Sequence, residues 1–372
     1  MTTPADFWWQ SVTGPRRFIS ETLRTLQESC IPLLQIPIDL PWRHTLRGVF
    51  QDLMREESPD VEFSFDIIDV ADQCANQDIG DFLLEHYASQ DVARSYRPRS
   101  GRCVQQYMAD NGVLHGKLLW VKGIPPSSVA TWCAFCQKFE SPSLENGCFV
   151  IEYRGEYRPS ANSAMRVLRF EDYVSNYDVH LYSAFLLSDQ EKPLSRQWQG
   201  YAAAVSSRLC GLDAELCEIM LRSDGWVDDD PLVLYRRAFA KKNSELPSDN
   251  DGDLRRKLWT AQLETLFPRI EFMRMEIIQS LHDELASALE FMPIKQFEQN
   301  VTCPEELELS SIAYLMAKTM PGSWNRLVYV PDEKKRQLIF RLKECRNLLA
   351  HGKCCGPDDA GFILDASVSN MR

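Results

Sequence analysis

The sequence has no apolar run approaching the roughly 18 uninterrupted residues that a membrane-crossing helix needs. Its start, Met1-Thr2-Thr3-Pro4-Ala5-Asp6-Phe7-Trp8-Trp9, lacks the basic residues and apolar stretch of a secretory signal. Both absences predict a cytoplasmic protein without a membrane partner. Neither G-x-x-x-x-G-K-[ST] nor G-x-G-x-x-G occurs, and Gly14 has no Gly-Lys downstream. Cradling of nucleotide phosphates by a glycine-rich loop is thereby excluded. There is no H-E-x-x-H and no nucleophile elbow around a serine. Among twelve cysteines the spaced pair is Cys133-Ala134-Phe135-Cys136, while Cys354 and Cys355 are adjacent and Cys103 and Cys148 stand alone. A structural zinc site wants a second spaced pair. The expectation is therefore reduced core thiols, no metal and no cofactor. No internal repeat and no long low-complexity tract interrupts the chain.

What is present is an ordinary globular balance over 372 residues, enough for two or three domains. The formal net charge of −12 disfavours indiscriminate attraction to phosphate polymers, so any nucleic-acid contact must be a local basic cleft. Short apolar runs at Ile31–Ile38, Val61–Val70, Lys117–Lys122, Cys148–Tyr153 and His180–Leu187 read as strands of a parallel sheet buried on both faces. Amphipathic stretches at Arg16–Ser29, Trp42–Arg55 and Ser127–Phe139 alternate with them, which predicts an α/β layer fold. From Leu194 onward the strands stop. Helices are predicted at Leu194–Arg222, Pro231–Lys242 and Pro304–Lys318. Leu266, Ile270, Met273, Ile277, Leu281, Leu285 and Leu289 form one apolar stripe on a long helix, with a kink expected at Pro268. The last long helix should run from Asp332, a capping residue, to His351, with Gly352 and Lys353 closing it. The polar, turn-rich Asn243–Asp253 reads as a linker, and Ser188–Pro193 as a weaker break. The predicted division is an α/β domain over 1–190, a helical lid-like segment over 191–245 and an all-α bundle over 254–360.

Three phrases mark the first half: Phe7-Trp8-Trp9 then Gly14-Pro15-Arg16-Arg17-Phe18 opening a helix, Trp120 and Trp132 ahead of a strand ending in Glu152, and the helices of Leu194–Lys242. With the order of elements, these resemble the core of AAA or STAND-type P-loop ATPases over roughly residues 1 to 240. Lacking the phosphate loop, this half is expected to be a degenerate, non-hydrolysing relative that docks or senses. Asp66 and Asp69 on the second strand could stand in for a magnesium-binding Asp. Ending the strand or bonding nearby backbone accounts for them more simply.

The C-terminal helix carries Arg346-Asn347-Leu348-Leu349-Ala350-His351-Gly352. This is similar to the motif of the HEPN superfamily, whose domains are helical bundles and whose active members cut RNA. The resemblance makes Arg346, Asn347 and His351 the catalytic set. His titrates near neutral pH and can move a proton. Arg offers a permanently charged fork matched to phosphate. The 2′-hydroxyl of RNA is the internal nucleophile, so no metal is required. Residues five apart on a helix lie about 140° apart around its axis. They converge if the Arg reaches over. In the HEPN superfamily two protomers usually face each other and join two such pairs in one cleft, so the resemblance implies a homodimer, or a hetero-complex with another defence-system subunit, that completes the site. Lys343, Lys353 and Arg341 add local charge for an RNA backbone, tRNA being one candidate. Solvated helix charges explain them equally well. The expected function is a metal-independent endoribonuclease regulated by a sensor module, of the kind found in prokaryotic antiphage or toxin systems. The alternative is a non-catalytic adaptor that uses the bundle for dimerisation or partner binding.

Overall fold

The computed structural model describes residues 3–60, 62–74, 77–97, 103–139, 143, 146–157, 164–189, 193–243, 250–296 and 299–366. Residue 61 of the second predicted strand, most of the 243–253 linker and residues 190–192 of the weaker break lie outside them. The chain forms two compact units, Met1–Asp178 and Val179–Arg372.

The first unit opens with α1 (Pro4–Ser11), α2 (Thr13–Gln27), β1 (Ile31–Gln35), α3 (Arg43–Glu57) and β2 (Ser64–Asp69). There follow α4 (Val70–Gln73), α5 (Ile79–Tyr87), α6 (Gln90–Ser95), α7 (Val104–Asp110), β3 (Lys117–Lys122), α8 (Val129–Cys136), β4 (Cys148–Tyr153), β5 (Met165–Arg169) and α9 (Phe170–Tyr173). The sheet is parallel, in the order β2-β3-β4-β1-β5. Leu33 of β1 registers with Ile151 of β4 on one side and Val167 of β5 on the other. Alternation sorts the two faces. Leu119 and Val121 of β3 join a core with Phe82, Met108 and Trp132 from α5, α7 and α8. Trp120 points the other way and meets Phe50 of α3 edge-on, ring centroids 5.3 Å apart. β4 is buried along its whole length, as a strand covered on both faces should be.

Gly14 sits in the first turn of α2, where its N–H donates to Asp178 Oδ1 at 2.9 Å. A Cβ there would lie 2.6 Å from the Tyr173 carbonyl oxygen, so only glycine fits this contact.

After α10 (Asn176–Ser188) come α11 (Arg196–Cys210), α12 (Ala214–Leu221), α13 (Pro231–Asn243), α14 (Asp251–Ser280), α15 (His282–Phe291), α16 (Leu309–Ala317), α17 (Glu333–Ala350) and α18 (Pro357–Asp365). A short antiparallel hairpin of β6 (Lys295–Gln296) and β7 (Gln299–Asn300) interrupts them. In this largely helical unit α14 packs on α11 and on α17. Helix α17 turns Leu338, Ile339, Leu342, Cys345 and Leu349 inward. At roughly 1.5–3 kcal/mol for each large apolar side chain buried, that stripe fixes the helix in place.

Four predicted elements differ. His180–Leu187 is not a strand: it lies in α10, where Val179, Tyr182, Ser183, Leu186 and Leu187 are buried at helical spacing. The fifth strand is Met165–Arg169, whose two arginines mask its apolar pattern. The Leu194–Arg222 helix breaks at Gly211, which takes φ +63. The apolar stripe is buried throughout, yet its helix is broken at Leu281 between α14 and α15. Pro304–Glu306 forms a separate turn ahead of α16. Helix α14 runs through Pro268.

Candidate functional site

Asp332 caps α17 by accepting from the Lys334 N–H at 2.8 Å. At the far end Lys353 N–H donates to Leu348 O at 2.9 Å and Gly352 N–H to Leu349 O at 3.2 Å, with Gly352 at φ +72. This pair of bonds around a left-handed glycine is the Schellman closure. It makes His351 the C-cap, exposed, its N–H donating to Asn347 O at 3.1 Å.

Two residues of α14 hold this terminus. Trp259 Nε1 donates to the Leu349 carbonyl at 2.8 Å. Gln262, fully buried, accepts from Cys355 N–H at 2.8 Å and donates to Cys355 O at 3.0 Å and Tyr201 Oη at 3.1 Å. The segment carrying His351 is thus fastened at both ends.

The predicted cations are not all free. Arg346 is partly buried and pairs with Glu308 at 3.3 Å. Arg341 Nε meets Asp359 at 2.8 Å while its guanidinium covers the Phe362 ring at 4.3 Å. Lys343 pairs with Glu344 at 2.8 Å. Lys353 is exposed and Asn347 partly buried. Among the described residues no hydrogen bond or ion pair joins Arg346 to His351. The neighbouring Cys345 and Cys355 thiols interact: the Cys355 hydrogen bond holds the Cys345 thiol below its usual range, and Cys355 is correspondingly raised. His282 lies between Asp283 and Glu305, each at 3.3 Å.

In the first unit, Asp69 ends β2 in an ion pair with Lys122 at the end of β3. Asp66 lies 3.9 Å from Lys117 Nζ. A cavity of about 680 Å3 opens at these carboxyl ends. Beneath it Arg47 of α3 donates to Glu152 Oε2 at 2.7 Å, an oxygen that also accepts from Trp120 Nε1 at 2.9 Å. Cys133 and Cys136 are buried in α8. Among the described residues no cluster of three or more His, Cys, Asp or Glu is placed to hold a metal, and no helix is long and apolar enough to cross a membrane.

Sequence reading missed Glu308, Trp259, Gln262 and Asp359, and the Arg47–Glu152 pair. Only Asp359 left a local trace: Gly356-Pro357-Asp358-Asp359 is a helix start, with Pro in the first turn and acids behind it. No protein-family model, curated protein or solved structure matches the chain.

Proposed function

We propose that the chain is a two-part effector: a HEPN-type helical unit that cuts RNA without a metal, governed by a degenerate ATPase-like sensor unit. A cytoplasmic prokaryotic antiphage or toxin system is its proposed setting. The observation that carries this reading is the exposed His351 at a rigidly closed helix end, five residues beyond Arg346. In the reaction the 2′-oxygen attacks the adjacent phosphorus and the P–O5′ bond breaks, leaving a 2′,3′-cyclic phosphate and a 5′-hydroxyl. His351 moves the proton, Arg346 steadies the charge on the phosphoryl oxygens, and Asn347 orients one of them. To reach phosphate, Arg346 must exchange Glu308 for RNA. A second copy or a partner subunit supplies the facing half of the groove.

The test is incubation of the purified chain with RNA, tRNA included, in EDTA. Wild type should yield cyclic-phosphate ends, and His351→Ala and Arg346→Ala should abolish them. Indistinguishable wild type and His351→Ala would falsify the catalytic reading.

One observation favours a second reading, a non-catalytic adaptor. Arg346, Arg341 and Lys343, three of the cations expected to meet RNA, already face carboxylates. An adaptor would form its complexes unchanged in His351→Ala.

A further inference from the structure

The connections of the parallel sheet diverge at β1. From β1 the chain crosses to the far edge at β2, then works back through β3 and β4, and from β4 it steps over β1 to β5. Where neighbouring strands send their connections in opposite directions, a crevice opens beyond their carboxyl ends, and open α/β sheets bind ligands there. The 680 Å3 cavity occupies this place, bordered by the ends of β1, β2, β3 and β4. Its size is that of a small-molecule site.

Its chemistry is that of an anion receptor. Arg43, Arg47, Lys122 and Arg154 border it against two carboxylates, Asp69 and Glu152. Those two are taken by Lys122 and Arg47, so Arg43 and Arg154 face no carboxylate among the described residues. Arg43 uses its guanidinium on the Pro37 and Ile38 carbonyls and keeps its charge. Helix α3 starts at the cavity, and no side chain caps it, so the positive end of a 15-residue helix faces the same space. Arg47 is 4% exposed, yet its Nε–H has no hydrogen-bond partner. A buried donor without an acceptor is uncommon, and an anion oxygen would satisfy it. Burial first, and then the Arg47 charge, lower the affinity of Lys122 for its proton. Surplus positive charge in the cleft accounts for the second effect. Ile36, Ile38, Ile124 and Pro126 give it an apolar wall.

We propose that this cleft binds a phosphate-bearing small molecule, its phosphate held by Arg47, Lys122 and the start of α3 and its organic part on the apolar wall. Guanidinium groups take the place of the absent glycine-rich loop. Such a ligand is what the sensor unit of the proposed two-part effector would sense. Binding is measured directly, so it can fail while RNA cleavage stands, and the reverse.

The experiment is calorimetric titration of the full chain with inorganic pyrophosphate, ATP and citrate. Saturable binding of pyrophosphate or ATP is expected. Arg154→Gln, at the exposed rim, and Arg47→Lys, which keeps the charge on Glu152 but loses the fork, should each weaken it by roughly tenfold or more. A matching thermal midpoint establishes that each variant folds. Silence toward pyrophosphate and ATP at millimolar concentration overturns the proposal. So does affinity unchanged in Arg154→Gln and Arg47→Lys, or a clear preference for citrate.

Discussion

Arg47 and Glu152 are both about 5% exposed in their side chains and lie 2.7 Å apart. Two charges removed from water together are tolerable because each answers the other; one alone is not. Arg47→Met should therefore destabilise the first unit by roughly 3–5 kcal/mol. Arg47→Met combined with Glu152→Leu should recover part of that loss, since an apolar pair of similar volume needs no counter-charge, while the Trp120 Nε1–H left without its acceptor takes back roughly 1–3 kcal/mol. Urea denaturation of the two variants checks it. Equal destabilisation by the single and double changes would mean that volume, not charge, dominates. Glu152 is noticed in the sequence only as the end of an apolar strand and Arg47 only as one cation in an amphipathic helix; nothing local pairs them. Roughly a hundred residues separate them in the chain, and only the pairing of β1 with β4 brings them together.

At the scale of the element, the end of α17 is held from α14. Replacing Gln262 with Leu removes the acceptor for Cys355 N–H and a donor to Cys355 O. Each backbone group stranded in the core costs roughly 1–3 kcal/mol. Gln262→Leu should lower the thermal midpoint and speed hydrogen exchange at the Cys355 amide, whereas a volume effect alone would leave that amide protected. Local pattern made α17 legible, because Asp332, the apolar stripe and Gly352 each speak for their own position. The same is true of four of the five strands. It failed where tertiary context decides: α10 is apolar enough for a strand, and only its buried positions reveal helical spacing. The candidate site was legible in part. Arg346, Asn347 and His351 share one helix, but Glu308 and Gln262, which hold Arg346 and the loop after His351, come from distant segments that leave no periodic trace.

For the whole molecule, none of the twelve cysteines is in a disulfide, and eight of them are buried. Burial pushes the Cys133 thiol up to about 11 and Cys148 up to about 12 from an ordinary value of 9.0. Burial also holds Cys136 and Cys210 well above that ordinary value. Near pH 8 these sulfurs stay protonated, so iodoacetamide should label the exposed Cys103 first and the buried set only after denaturation. Folded values above the unfolded ones mean that these thiols contribute their full stability below pH about 9, and that it drains away as pH rises toward 11–12. Denaturation midpoints measured from pH 8 to 11 should fall along that course. A flat profile would show that the thiols are more hydrated than their burial implies.

The order β2-β3-β4-β1-β5 carries a consequence for the birth of the protein. β1 leaves the ribosome well before either of its neighbours: roughly 120 residues separate Leu33 from Ile151. Throughout that interval a sticky ribbon, Ile31-Pro32-Leu33-Leu34, must wait with both edges bare. A nascent chain in that condition is a natural client for chaperones.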